Sequence, residues 1–211
     1  MTPQELYQQK KKTVAEALSL VRSGDTIAGG TYVCEPLQLY RALHTIADRV
    51  RDVTVWLGIT TENYPFCSDP AYEDAFFVNS FFYDAQARSN HRRGRISYVP
   101  FHLHQMPAGI AAQKPDIFMT AVPPMDKDGY FYLTPIQQIE AEMFQAVPTR
   151  ILKVNPRSPS ARRQHPSACG AAYLHLSPGF SGGTASAGSG TAAVVGPHLR
   201  NFHAGERILA L

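Results

Sequence analysis

Two stretches combine residue types that can hold a ligand. In the first, Asp25-Thr-Ile-Ala-Gly-Gly30 reads as a short strand running into paired glycines, followed by Cys34-Glu35-Pro36 and a helical stripe. A strand, a glycine loop and a helix N-terminus together can present backbone N–H groups to an anion or a carbonyl oxygen. Tight strand-to-helix turns also need glycine on steric grounds alone, so a purely structural turn stands beside that reading. Glu35, next to Pro36 at a helix start, is read as complementing the helix dipole, with a nucleophile or base as the alternative. The second stretch is Asp116 to Leu133. Its apolar run, Ile117 to Val122, has the length of a strand covered on both faces. Pro123 and Pro124 stop it because neither can donate to a sheet ladder. Asp126-Lys-Asp-Gly129 then supplies turn chemistry before Tyr130-Phe-Tyr-Leu133 resumes extended structure. A rigid shoulder at the carboxyl end of a buried strand is where open α/β sheets place ligands.

Other polar residues fall at expected strand ends. Thr60-Thr-Glu-Asn63 is the polar exit of Val53 to Ile59, and Asn79 and Ser80 interrupt the β-prone run Phe76 to Phe82. They either contact ligand or pair with neighbouring backbone. The dense basic cluster His91-Arg92-Arg93-Gly94-Arg95 closes a helix-compatible segment, where cations complement the dipole more simply than they would hold phosphate. His102 and His104 would share one face of a strand, but no third metal ligand is evident, so no metal site is assigned.

The elements that must position these residues alternate. Thr13-Val-Ala-Glu16 is a capping box, and Val14, Ala17, Leu18 and Val21 give the following helix one apolar face, ended by Ser23-Gly24. Leu39, Leu43, Ile46 and Val50 form a second helical stripe. Strands are expected at 25–30, 53–59, 76–82, 96–100, 117–122 and 150–155. Helices are expected at 84–93 and from Thr134 or Pro135 to about Ala146. The alternation predicts an α/β fold with an open, mostly parallel sheet and helices on both faces.

The 211 residues have ordinary apolar and charged fractions and a net charge of +3, too small to argue for nucleic acid. No apolar run approaches a membrane span. Cys34, Cys67 and Cys169 are odd in number and form no CxxC pair, which predicts reduced thiols and a cytoplasmic protein. Charge is unevenly distributed: every acidic residue except Glu206 precedes Asn155, and lysine is absent after Lys153. Beyond residue 157 the chain turns to Ala, Gly, Ser, Pro, Arg and His with no period. Residues 1–157 are therefore read as one domain, and 158–211 as a low-complexity tail, disordered or out of frame.

The order and spacing of several motifs resemble the acetyl-CoA hydrolase/transferase family, whose members include 4-hydroxybutyrate, butyryl and acetate CoA-transferases. The motifs are Ser23-Gly-Asp25 with the glycines and Glu35-Pro36; Asn79-Ser-Phe-Phe82; Gly94-Arg95 leading to Tyr98-Val-Pro100; Val122-Pro-Pro-Met-Asp-Lys-Asp-Gly-Tyr130; and Lys153-Val-Asn-Pro156. The resemblance runs from about Glu5 to Arg157. It implies a NagB/RpiA/CoA-transferase-type fold built as two similar domains, of which this chain resembles the first. It also implies ping-pong CoA transfer. A glutamate carboxylate attacks the thioester to give an acyl-glutamyl anhydride and CoA thiolate. The thiolate then converts the anhydride to a glutamyl-CoA thioester, releasing the carboxylate product.

Acyl-CoA and small carboxylates are then the partners, coenzyme A being a substrate, with no metal or other cofactor. In the family, the nucleophilic glutamate and the main oxyanion loop lie in the second domain. No residue here takes a catalytic role by motif, and the chain is expected to be inactive alone. Gly29, Gly30, Thr60, Asn79, Pro123 and Pro124, at strand ends, are the substrate-binding candidates for one wall of the site. Two alternatives remain: a non-catalytic subunit whose partner carries the second domain, and a sugar-phosphate isomerase of the same broad fold. A half-site without its partner is also expected to self-associate through exposed apolar surface.

Overall fold

The computed structural model describes residues 2–134 and 138–158, together with the backbone of two short strands at 173–175 and 207–210. Strand β1 (Lys11–Lys12) follows helix α1 (Pro3–Lys10), and α2 (Val14–Leu18) leads to β2 (Thr26–Gly29). Next come α3 (Leu37–Leu43), β3 (Val53–Leu57), α4 (Pro65–Ser68), β4 (Phe76–Ser80), α5 (Ala85–Arg92) and β5 (Ile96–Tyr98). The chain continues through α6 (Met106–Ala111), β6 (Ile117–Val122), β7 (Tyr130–Tyr132), α7 (Glu140–Ala146) and β8 (Thr149–Val154). The last described strands are β9 (Tyr173–His175) and β10 (Arg207–Ala210).

Six strands are parallel, in the order β8-β6-β2-β3-β4-β5. Beside β8, β10 and then β1 extend the sheet antiparallel, and β7 pairs antiparallel with β9 in a separate ribbon. The expected open α/β fold is what forms. Most of the tail expectation for 158–211 lies outside the described residues; Ser158 and the strands β9 and β10 are described.

Period-2 alternation places each strand's residues on two faces, and each face has its own core. Ile27, Val55, Val78, Met119 and Ile151 pack under α2 and α3 with Leu18, Leu39, Tyr40 and Leu43. Ala28, Trp56, Phe118 and Leu152 pack under α6 and α7 with Ile110, Met143 and Phe144. All six residues of β6 are buried, as its unbroken apolar run requires.

Local signals set the helix ends. Thr13 accepts from the Glu16 amide at 3.2 Å while the Glu16 carboxylate accepts from the Thr13 amide at 2.7 Å. The same box at Thr2 and Glu5 starts α1, a helix the sequence reading passed over although its spacing is identical. Asp84 caps α5 by accepting from the Ala87 amide at 2.7 Å. Gly24 and Gly94 take positive φ, as their expected positions after helices require.

Three expectations need correction. The second stripe is helical only to Leu43 and tightens to a 3-10 turn at His44–Ile46, although Ile46 and Val50 are still buried. His102 and His104 lie in an exposed turn rather than on a strand, because β5 ends at Tyr98. Helix α7 begins at Glu140; residues 135–137, in the expected helix start, lie outside the described residues.

Lys114, in the turn that leads from α6 toward β6, is exposed yet holds φ 50. A side chain bearing Cβ is strained there by about 1 kcal/mol relative to glycine. Lys114→Gly is therefore expected to stabilise the protein by about 1 kcal/mol in urea unfolding. A loss of stability would show that the turn is held by something other than its backbone.

Candidate active site

From β2 the chain places β3, β4 and β5 successively to one side, then returns to lay β6 against the other side of β2. Strand order reverses between β2 and β6, the switch point at whose carboxyl ends parallel sheets bind ligands. Gly29 and Gly30 stand on the β2 lip of that switch point, and Pro123 and Pro124 follow β6 on the other lip.

Both glycines are buried, and the amides after β2 are engaged within the fold. Gly30 donates to the Met119 carbonyl at 2.7 Å, Thr31 to Glu140 Oε1 at 3.2 Å, and Tyr32 to the Ile59 carbonyl at 3.0 Å. The glycines serve close approach instead. A Cβ at Gly30 would overlap the Cys34 carbonyl oxygen and stand 2.5 Å from Thr120 Oγ1, and one at Gly29 would overlap the Tyr40 hydroxyl. Tyr32 sits at φ 53, a left-handed conformation that a residue with Cβ adopts only when its surroundings hold it. Here the Cys34 carbonyl accepts from Thr120 Oγ1 at 3.1 Å, and the Tyr32 carbonyl accepts from the Glu35 amide at 3.1 Å. On the opposite lip Pro123 is buried and Pro124 exposed. Asp126 closes the turn beyond, its Oδ1 accepting the amides of Asp128 and Tyr130, each at 2.9 Å. Gly129 takes φ 90 there.

Glu140 lies beneath the β2 loop and was not singled out from sequence, because its burial and its bond to the Thr31 amide arise only on folding. It is fully buried. Its Oε2 accepts the Gln138 amide at 2.6 Å and the Ile139 amide at 3.0 Å, while Oε1 takes the Thr31 amide. Burial pushes its carboxyl above the ordinary range, and those amides partly oppose the shift. Cys34 Sγ lies 2.9 Å from Thr134 Oγ1. Burial, reinforced by the Glu140 carboxylate, raises the Cys34 thiol well above its usual range, so it stays protonated and is no nucleophile.

Glu35 caps no helix; Pro36 occupies the N-cap of α3. Its buried carboxylate instead ties down the loop after β3. It accepts from Thr61 Oγ1 at 2.5 Å and from Tyr64 Oη at 2.7 Å, with the Thr61 amide 3.1 Å from Oε2. Burial raises its pKa above 4.5, and the bonds from Thr61 and Tyr64 work against that. Glu35 and Glu140 thus each hold a proton more tightly folded than unfolded. Their stabilising contribution is fully present below the ordinary carboxyl value near 4.5 and is lost as pH rises through the raised folded values. Lowering the pH from 8 toward 5 is expected to shift the urea midpoint upward through these groups, and Glu35→Gln to flatten part of that rise. Superimposable pH profiles for the two proteins would sink the assignment to Glu35.

The remaining candidates lie further along the same sheet edge. The Thr60 amide and hydroxyl donate to Asp84 Oδ2 at 2.7 and 3.1 Å. Asn79 is buried in β4 between Trp56 and Ser97 of the neighbouring strands. Ser80 Oγ donates to the Phe82 carbonyl at 2.7 Å, so it pairs with local backbone. In the basic cluster, His91 and Arg92 fill the last turn of α5 and Arg95 pairs with Glu73. The His102 and His104 rings stack with centroids 5.8 Å apart, and no group of three His, Cys, Asp or Glu side chains converges among the described residues. No helix among the described residues is long and apolar enough to cross a membrane.

Comparison with known proteins follows the same geometry. The family profile described as "Acetyl-CoA hydrolase/transferase N-terminal domain" matches residues 1–167. A succinyl-CoA:cyclohexane-1-carboxylate CoA transferase from Geobacter metallireducens is 28% identical over 175 residues, covering 81% of this chain and 37% of that protein. A butyryl-CoA:acetate CoA-transferase from Anaerostipes caccae is 28% identical over 161 residues, covering 75% of this chain and 36% of its own length. Among solved structures, RipA from Yersinia pestis superposes with a TM-score of 0.72 at 28% identity, covering 83% of this chain and 42% of RipA. The chain thus spans roughly two fifths of the length of these relatives.

Proposed function

The chain belongs to the acetyl-CoA hydrolase/transferase family, and we propose that it forms the first-domain wall of an acyl-CoA:carboxylate CoA-transferase of the acetate, butyrate or 4-hydroxybutyrate type, or of an acetyl-CoA hydrolase. One observation carries the reading: the chain's switch point, lipped by Gly29-Gly30 and Pro123-Pro124, lies within the span matched to this family. Glu35 and Glu140, the buried carboxylates beside that switch point, are inaccessible and already saturated with donors, so neither is placed to attack a thioester. The wall is expected to shape and bind the acyl-CoA while the attacking carboxylate comes from the other half of the family's site. Acyl-CoA and a small carboxylate are the proposed substrates, in the cytoplasm, with no resident cofactor called for.

The engaged amides of residues 30–32 leave no phosphate cradle at the glycine loop, which weighs against a sugar-phosphate isomerase. Phe82, Tyr98 and Leu103, exposed at or beyond the carboxyl ends of β4 and β5, supply apolar surface for self-association or for a partner that carries the second half.

The test combines CoA binding with exchange of CoA between butyryl-CoA and labelled acetate. Saturable CoA binding without exchange by the chain alone is expected. Exchange by the isolated chain would place the nucleophile within it, and binding of a sugar phosphate but not of CoA would overturn the reading. A copurifying chain that confers exchange on mixing would identify the subunit arrangement.

A further inference from the structure

Among the described residues, three other than glycine take left-handed backbone angles, and two of them, Asp52 and Lys114, are exposed turn residues. The third, Tyr32, sits at φ 53 on the loop that leaves β2 at the switch point. Its neighbours hold it there. Its amide donates to the Ile59 carbonyl at 3.0 Å, and its carbonyl accepts from the Glu35 amide at 3.1 Å. On its N-terminal side, the Thr31 amide donates to Glu140 Oε1 at 3.2 Å and Thr31 Oγ1 to Gln138 Oε1 at 2.9 Å. Glycine would take the same angle without the clash of a Cβ, so the loop carries Tyr32 at a cost in stability. Backbone strain that neighbours over-determine in this way is kept where it serves a site.

The chemistry left on this edge of the sheet depends on which groups are already spent. On the loops after β2 and β3, Thr31 donates to Gln138, Thr60 to Asp84, and Thr61 and Tyr64 to Glu35. Beside them, Tyr40 donates to the Gly30 carbonyl and Thr120 to the Cys34 carbonyl. The amides of Gly30, Thr31 and Tyr32 are engaged as well. Tyr32 is half-buried, and its hydroxyl has no hydrogen-bond partner among the described residues. On these two loops it is the one hydroxyl still able to donate outward.

The electrostatics select what it donates to. The buried carboxyl groups of Glu140 and Glu35 bracket the loop, one holding the Thr31 amide and the other three residues beyond Tyr32. Among the described residues no cation pairs with either. A further anion is disfavoured beside them, so a carboxylate or phosphate is a poor partner and an uncharged carbonyl oxygen a good one. We propose that Tyr32 is a substrate-binding residue whose phenol donates a hydrogen bond to the thioester carbonyl oxygen of the acyl-CoA. This contact distinguishes acyl-CoA from free coenzyme A. The assignment rests on the acyl-CoA reading above and deepens it by naming the donor that this wall offers to the reacting group.

The test titrates the full chain, by calorimetry, with butyryl-CoA, coenzyme A and S-butyl-CoA, a thioether of the same chain length that lacks the carbonyl. Tyr32→Phe removes the hydroxyl alone. It is expected to weaken butyryl-CoA about tenfold and to leave coenzyme A and S-butyl-CoA unchanged. A purely structural role for Tyr32 would move all three ligands together or none. In the unsubstituted chain, the Tyr32 Cζ resonance is expected to shift further with butyryl-CoA than with S-butyl-CoA, which decides if the Phe variant does not fold. Unchanged butyryl-CoA affinity in a folded Phe variant, equal weakening of all three ligands, or equal Cζ shifts overturn the assignment while the transferase reading stands. A carbonyl-dependent contact in a protein that supports no CoA exchange with any partner keeps Tyr32 and removes the transferase reading. Failure of the unsubstituted chain to bind butyryl-CoA and coenzyme A removes both.

Discussion

Gly30→Ala is expected to destabilise the protein by about 3 kcal/mol, or to prevent folding altogether. The added methyl would overlap the Cys34 carbonyl oxygen, which is backbone and cannot rotate away, and would press on Thr120 Oγ1 and Cβ at 2.5 and 2.9 Å. Moving Cys34 would also break the Thr120 bond to its carbonyl and disturb the left-handed turn at Tyr32. Gly109→Ala is the matched control. There the nearest atoms to the methyl belong to the ring of half-buried Phe101, a side chain that can turn aside, and alanine restores about 1 kcal/mol of helix propensity in α6. Urea unfolding of the pair should separate them by more than 2 kcal/mol. Equal, small effects would show that the β2 loop is softer than its contacts require.

Glu140→Ala is expected to cost about 3–5 kcal/mol. It strands the buried amides of Thr31 and Ile139 and the half-buried amide of Gln138, each having lost a charge-assisted acceptor. Glu140→Gln keeps the volume but turns an NH2 group toward donors, so about half of that loss is expected. The readouts are the unfolding midpoint and amide hydrogen exchange. Thr31 and Ile139 should lose protection in both variants while the central amides of β3 keep theirs. Uniform loss of protection would mean that Glu140 supports the whole domain rather than the loop at the switch point.

Much of the frame is legible in the residues themselves. The unbroken apolar run Ile117 to Val122 has the length of a strand covered on both faces, and Pro123 ends it. The Thr13–Glu16 box and Gly24 bracket α2 by local hydrogen bonding and backbone freedom, which need no tertiary partner. Alternation of strands and helices then leads to a parallel sheet, and the motif order leads to the family. The start of α1 was equally open to reading, since Thr2 and Glu5 repeat a spacing recognised eleven residues later.

What the site does with its residues depends on contacts across long sequence distances. Gly29 and Gly30 look like an anion cradle in one dimension; packing against Tyr40 and Thr120 makes them spacers whose following amides are engaged. Glu35 looks like a helix-dipole partner, and the fold turns it toward Thr61 and Tyr64. Glu140 carries no motif: it is defined by an amide 109 residues away. Sequence alone determined the α/β class, the strand that ends at Pro123 and the family, because period, turn chemistry and motif order are local properties. Only the tertiary structure decided which carboxylates are buried and which loop amides are engaged, because burial and hydrogen-bond saturation arise when β6 and α7 close over the loops of β2 and β3.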